Sequence, residues 1–371
     1  MNRFFLKQNT FQNVLHIDLI LFLLILILLI YSAFITWSAV SQNLNMIQEK
    51  IIQIIVGLLI LFLLAQITPK QYEIYTPYIY CMSFILLILV HIIGYISNGA
   101  QRWLDLGIIR FQPSEIMKFS VSFMVAYHLH KGQYPPSINN TIIALLLIAL
   151  PTILILLQPD LGTAILTASS GLFILFLSGI SWMLIIFILL VILLCIPILW
   201  FFYMHEYQKS RISALWNPES DPLGSGYHII QSKIAIGSGG LTGKGWLQGT
   251  QAQLEFLPER HTDFIFAVIG EEFGFIGILI LLLLYLAIIF RGLFIAIKIQ
   301  HMFGRLIIGS FMLTLFTSIF INIGMVSGIL PVVGIPLPLI SYGGSSLLVL
   351  MAEFGSIMSI CNHRKMISKN L

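Results

Sequence analysis

Apolar residues fall in long blocks along this chain, with polar residues gathered between them. The blocks lie at about 17–37, 51–68, 75–97, 112–130, 141–157, 161–179, 183–203, 264–290, 306–330 and 339–360. Each is close to the ~20 residues that a helix needs to cross a bilayer core. The alternating pattern of a β-barrel wall is missing, so helices must satisfy the backbone. The pattern therefore predicts an all-α polytopic membrane protein with about ten transmembrane helices. The first block exceeds the ~7–15-residue core of a cleaved signal and reads as the first span. The fourth is the weakest because it holds Glu115 and Lys118. Without it nine spans would remain and the termini would lie on opposite sides.

Composition sharpens this picture. Of 371 residues, 58% are hydrophobic and only 9% charged, against about 25% charged in soluble domains. So few charges cannot cover a soluble globule, which excludes a soluble enzyme, a disordered chain and a nucleic-acid-binding domain. The net charge of +4 follows from position. With the N-terminus inside, the inner segments hold Arg3, Lys7, Lys70, Lys131, Arg291, Lys298, Arg305, Arg364, Lys365 and Lys369. The short outer loops hold only Lys50, Arg102 and Arg110. Positive residues stay inside, so both termini are expected in the cytoplasm, in line with an even number of spans. Cys81, Cys195 and Cys361 have no short spacing and suggest neither zinc nor disulfides; small buried hydrophobes are expected there.

The chain reads as one transmembrane domain over 1–371. Its one long connection, 204–262, is polar and glycine-rich and falls outside the membrane between spans seven and eight. Loops of this length are usually functional. No internal repeat is evident, which weakens a transporter built from inverted repeats.

Glu255, Glu259, Arg260, His261 and Asp263 crowd the end of this loop, and Asp263 stands where the chain enters the membrane. A carboxylate there can simply cap the helix. Further in, Glu271 and Glu272 lie about 80° and 180° around the helix from Asp263. They face either a polar interior or the interface on a tilted helix. Ser114 can cap the fourth span, and Glu115 and Lys118, three apart, can pair on one face. Asp160 reads as another outward-aimed cap. Arg110, Lys118, Asp160 and Asp263 thus converge on one membrane face and mark a polar cavity. The run Gly237–Trp246 fails the phosphate-loop spacing, with Ser238 and Gly245 where glycine and a hydroxyl are needed. It reads as a flexible loop. With no nucleotide site, a reaction here must draw energy from its substrate or from an ion gradient. The run Pro331–Ser346, with three prolines and three glycines, breaks the helix between the last two spans and can line a cavity.

Four stretches resemble the SEDS family (shape, elongation, division and sporulation): Leu254–Gly277, Phe111–Glu115, the Gln158–Gly162 turn and Asn322–Ser346. The resemblance covers nearly the whole chain, and the stretch Gly99–Gly107 favours the elongation branch over the division branch. It implies a peptidoglycan glycosyltransferase that polymerises lipid II into β-1,4 strands at the periplasmic face of the bacterial inner membrane. Asp263 matches the family's essential aspartate, and Trp103, Arg110, Glu115, Lys118, Asp160 and Arg211 match its cavity. The implied partners are a class B penicillin-binding protein, MreC and MreD. The pyrophosphate of lipid II is a built-in leaving group. The chemistry expected is Asp263 as base, cations from Arg110, Lys118 and Arg211 against the leaving group, and Glu115 and Asp160 orienting them. No cofactor is required, although a divalent cation (magnesium or manganese) can share the cationic role. The alternatives are a lipid II flippase and a non-catalytic scaffold of the elongation complex.

Overall fold

The computed structural model describes residues 17–97, 100–105, 107, 110–204, 206–220 and 224–367. Arg3, Lys7 and Lys369 of the inner charges, and Gly99 and Leu106 of the family-like stretch, lie outside these. The first helices are α1 (Leu19–Ala39), α2 (Leu44–Ala65) and α3 (Pro69–Ile93). Asp18 caps α1 through the Leu21 N–H at 3.0 Å and forms a two-point ion pair with Arg291. Asn43 caps α2 seven residues ahead of the apolar block, because a polar first turn still continues the helix. A Thr68–Gln71 capping box with Pro69 at the first position starts α3 ahead of its block as well.

Gly94 ends α3 in extended backbone. The chain then forms β1 (Tyr95–Ser97), β2 (Ala100–Asp105) and β3 (Arg110–Phe111), an antiparallel sheet in the order β1-β2-β3. This small sheet corrects the expectation that the third span reaches residue 97 and is the only departure from helices among the described residues' ladders. Next come α4 (Pro113–Leu129), α5 (Ile138–Leu157), α6 (Leu161–Leu177) and α7 (Trp182–Ile198), the last extended by a π turn over Leu199–Tyr203. Helix α4 sits amid α3, α5, α6 and α12 (Met302–Val326). Helix α7 lies at the periphery, with none of its described side chains buried although Ile185 and Ile188 pack against the core.

The long connection holds α8 (Glu206–Trp216), α9 (Ser225–Ser238) and the short α10 (Thr250–Gln253). It leads into α11 (Ile265–Lys298), and α13 (Gly344–Ile367) ends the fold against α2. A helix stands in each of the ten expected blocks. Eight are long and apolar enough to cross a membrane, while α4 and α6 have 17 residues each. Large aliphatic side chains line the outside of the bundle, among them Ile30, Leu63 and Leu283. Such a surface suits hydrocarbon and not water. Cys81 and Cys195 lie on that exterior, not in the core as expected.

Two features shape the end of the bundle that carries the long connection. Helix α11 is broken at Gly274 (φ 62°, ψ −158°), a conformation that excludes a side chain. The glycine-rich run fills the break. Phe275 N–H donates to Gly240 O (2.9 Å) and Ile276 N–H to Leu241 O (3.1 Å), while Lys244 and Gly245 N–H donate to Glu271 O and Glu272 O (both 3.0 Å). The run is therefore docked, not flexible. Second, segment 331–343 is irregular, and its carbonyls are met from the bundle. Tyr285 OH donates to Pro338 O, Ser32 Oγ to Ile340 O, and the Lys50 Nζ to Ile340 O and Ser341 O. Lys50 is thus fully buried, not a loop charge. Irregular backbone inside an apolar bundle is tolerated only with such partners.

Candidate active site

Asp263 lies in the turn before α11, whose N-cap position is taken by Phe264 without a side-chain hydrogen bond. The capping role open to Asp263 from sequence is therefore not used. Its carboxylate faces Gly334, which has φ 76°. A Cβ on that glycine would stand 3.4 Å from Asp263 Oδ2 and 3.9 Å from Arg211 Nη1. The carboxylate and the guanidinium therefore flank the same glycine. Arg211, on α8, donates to Val332 O at 3.3 Å and lies over the Tyr207 ring. Burial first, and then the Glu259 carboxylate, raise the Asp263 acid from 3.8 to about 7. Asp160 pushes the same way, while Arg211 and Arg102 oppose it.

Beside this pair is a cavity of about 150 Å³ between α6, α8 and the 331–333 backbone. Arg102 and Arg211 give it positive charge, and Leu161, Ile165, Ile212 and Val333 give it apolar walls. Arg102 binds the Gln158–Pro159 carbonyls and the Tyr207 hydroxyl, and its Nε stands 4.0 Å from Asp160. Asp160 caps α6 through the Thr163 N–H (3.2 Å) and accepts from Gln112 (2.7 Å).

Of the four residues expected to converge, Asp160 and Asp263 are brought together, with Arg211 beside them, while Arg110 and Lys118 lie elsewhere. Arg110 pairs with Asp105 at 2.8 Å across the β2–β3 ladder, stacks on Tyr95 and is largely exposed. The Gly107 N–H and Arg110 hold the Asp105 carboxyl below its ordinary range. Strand alternation explains the exchange of arginines. Ala100, Arg102 and Leu104 share one face of β2, and the two apolar members are buried. Trp103 is on the opposite face, paired with Tyr95. Arg102 is thus the cavity arginine that block patterning misses.

Glu115 and Lys118 do pair, at 2.9 Å. Both are buried and line a separate pocket of about 30 Å³ with Ser318, Ser341 and Ser346. They lie with Glu353 rather than with Asp263. Ser114 is not the cap of α4; Gln112 takes that position, and the Ser114 hydroxyl is buried without a partner. Glu271 and Glu272 face the docked loop and α1. The fully buried Glu271 carboxylate accepts from Lys244 Nζ (2.7 Å), Thr250 Oγ1 (3.1 Å), Gln251 N (2.9 Å) and Ala252 N (3.1 Å). Glu272 accepts from Ser38. Among the described residues no three His, Cys, Asp or Glu side chains are grouped to hold a metal ion.

The model of the FtsW/RodA/SpoVE cell cycle proteins matches residues 12–366. The chain belongs to this family. Within the SEDS proteins it is RodA-like. It is 61% identical to the peptidoglycan glycosyltransferase MrdB of Escherichia coli K12 over 98% of this chain and 99% of that one. It is 33% identical to the probable peptidoglycan glycosyltransferase FtsW of Geobacter metallireducens, over 94% and 95%. A chain from a peptidoglycan synthase complex that coordinates polymerization and crosslinking superposes with a TM-score of 0.81 at 31% identity, covering 94% of this chain and 98% of that one. The rod shape determining protein RodA of Thermus thermophilus gives 0.72 at 27%, covering 94% and 97%.

Proposed function

We propose that the chain is a peptidoglycan glycosyltransferase of cell elongation that polymerises lipid II at the periplasmic face of the inner membrane. One observation carries the reading: a carboxylate with a raised proton affinity stands beside Arg211, at the edge of a cavity that Arg102 also lines. Asp263, as the carboxylate, takes the proton from the acceptor sugar's 4-hydroxyl. The freed oxygen attacks the anomeric carbon of the donor, and the bond from that carbon to the pyrophosphate breaks. An α-linked donor thereby gives a β-1,4 link. Arg102 and Arg211 meet the negative charge that develops on the polyprenyl pyrophosphate, and Asp160 orients Arg102. The apolar cavity wall suits the first prenyl units. Arg110 is too far committed to Asp105 for this role, and Glu115–Lys118 serves the pocket beneath. A divalent ion would have to take most of its oxygen ligands from the pyrophosphate. The partner of this reading is a class B penicillin-binding protein, with MreC and MreD around it; the likeness to a chain of a peptidoglycan synthase complex favours a crosslinking partner.

The test is to incubate the purified chain, alone and with a class B partner, with labelled lipid II. A ladder of glycan polymer is expected. Lipid II crossing vesicle membranes without polymer would replace this reading with a flippase, and neither activity would leave a scaffold.

A further inference from the structure

Asp263 sits on a turn with no regular structure of its own, yet a general base must be held within a fraction of an ångström of its reacting proton. Three successive carbonyls of that turn are each held from elsewhere. The His261 carbonyl accepts the Tyr342 N–H at 2.8 Å. The Thr262 carbonyl accepts the Ser341 hydroxyl at 2.6 Å. The Asp263 carbonyl accepts the Asn322 amide at 3.0 Å. The same amide also donates to Ile335 O at 2.7 Å, and the same hydroxyl accepts the Leu337 N–H at 2.7 Å.

Both side chains thus bridge the Asp263 turn to segment 331–343. That segment also supplies Val332 O, which holds Arg211, and Gly334, which the carboxylate faces. The spacing of base and cation is therefore set through one piece of backbone. Asn322 is fully buried, and its carbonyl oxygen has no partner among the described residues. Burying an amide with one end unmet costs stability that an aliphatic residue of similar size would spare. Packing α12 does not require asparagine there; fixing two carbonyls does.

We propose that Asn322 and Ser341 are positioning residues for the base, clamping the Asp263 turn to segment 331–343 so that the carboxylate keeps its place beside Arg211. The inference rests on Asp263 as the base. The charged groups facing that carboxylate are Glu259 on its own turn, Arg211 on α8, Asp160 at the head of α6 and Arg102 on β2. A loosened turn lets water reach the carboxylate, which relieves the burial that chiefly raises its proton affinity and makes it easier to ionise.

The test compares Asn322→Ala, Ser341→Ala and Ser341→Thr with the parent chain, each in complex with a class B partner and assayed on lipid II across pH. Ser341→Ala removes a single oxygen and keeps the test alive should Asn322→Ala not fold. Loss of the clamp is expected to lower kcat on the order of tenfold with KM within about twofold. The acid limb of the rate profile should move down by about half a pH unit or more, as water reaches the loosened carboxylate. Ser341→Thr should restore both. Unchanged kcat and acid limb per folded molecule, with only a lower Tm, would overturn the inference while an inactive Asp263→Asn control leaves the base in place. An active Asp263→Asn would remove the base, and the inference with it.

Discussion

Replacing Glu271 by alanine should release the docked loop without touching the cavity. The carboxylate has no exposed surface and accepts four hydrogen bonds, all from residues 244–252. Removing one partner of a buried ion pair costs about 3–5 kcal/mol, most of it from the donors left unmet. Lys244 keeps 27% of its side-chain surface and can turn to water, which argues for the lower end. At about 3 kcal/mol the loop should open on the order of 100-fold more often. Hydrogen exchange of the amides of Lys244, Gly245, Gln251 and Ala252 reads this directly, because each donates into the latch or the helix break. Lys244→Met should give a smaller increase, since it leaves the two backbone donors on Glu271 intact. Equal protection in Glu271→Ala and the parent chain would refute the latch, as would an increase spread evenly over the whole bundle.

The raised proton affinity of Asp263 also affects stability. A folded-state value of about 7 against 3.8 means that the folded chain holds the proton more tightly. The resulting stabilisation is complete below the unfolded value and lost as pH rises through about 7. Asp263→Asn should therefore melt higher than the parent at pH 8, with the gap shrinking toward pH 4; a pH-independent gap in Tm would contradict this. The two arginines should separate in an activity assay. Arg102→Ala is expected to lower polymerisation on the order of 100-fold, while Arg110→Ala, which breaks only a solvent-screened surface pair, should stay within about threefold. The reverse order would return Arg110 to the cavity. Lys50→Met leaves the Ser341 carbonyl without its donor, while Ile340 O keeps the Ser32 hydroxyl, and should destabilise the fold by about 1–3 kcal/mol, read as a lower Tm in detergent.

Much of the architecture follows from patterning, because each helix must cover its own backbone in hydrocarbon and so writes a long apolar block. The residues that chemistry marks as costly in such blocks, Glu115, Lys118, Glu271 and Glu272, are all buried and, apart from one oxygen of Glu272, partnered. Asp160 was legible as a cap because a turn and a helix start adjoin it. Arg102 was not, since a six-residue strand between two spans carries too short an alternation to stand out from a loop. Lys50 and the glycine-rich run were misplaced for a shared reason. Their partners, Ile340 and Ser341 for one and the Gly274 break for the other, are distant in sequence. Local pattern carries no record of non-local pairing. The Asn322 and Ser341 clamp belongs to the same class, since single polar residues in apolar blocks declare a need for partners without naming them.

The central claim is that Asp263 takes the acceptor's proton. Its most direct measurement is the initial rate of lipid II polymerisation by Asp263→Asn in an intact complex with its class B partner, a change that keeps the side chain's shape and removes its basicity. The account predicts a loss on the order of 10³-fold or more with the complex still assembled. Polymerisation at the parent rate would contradict it.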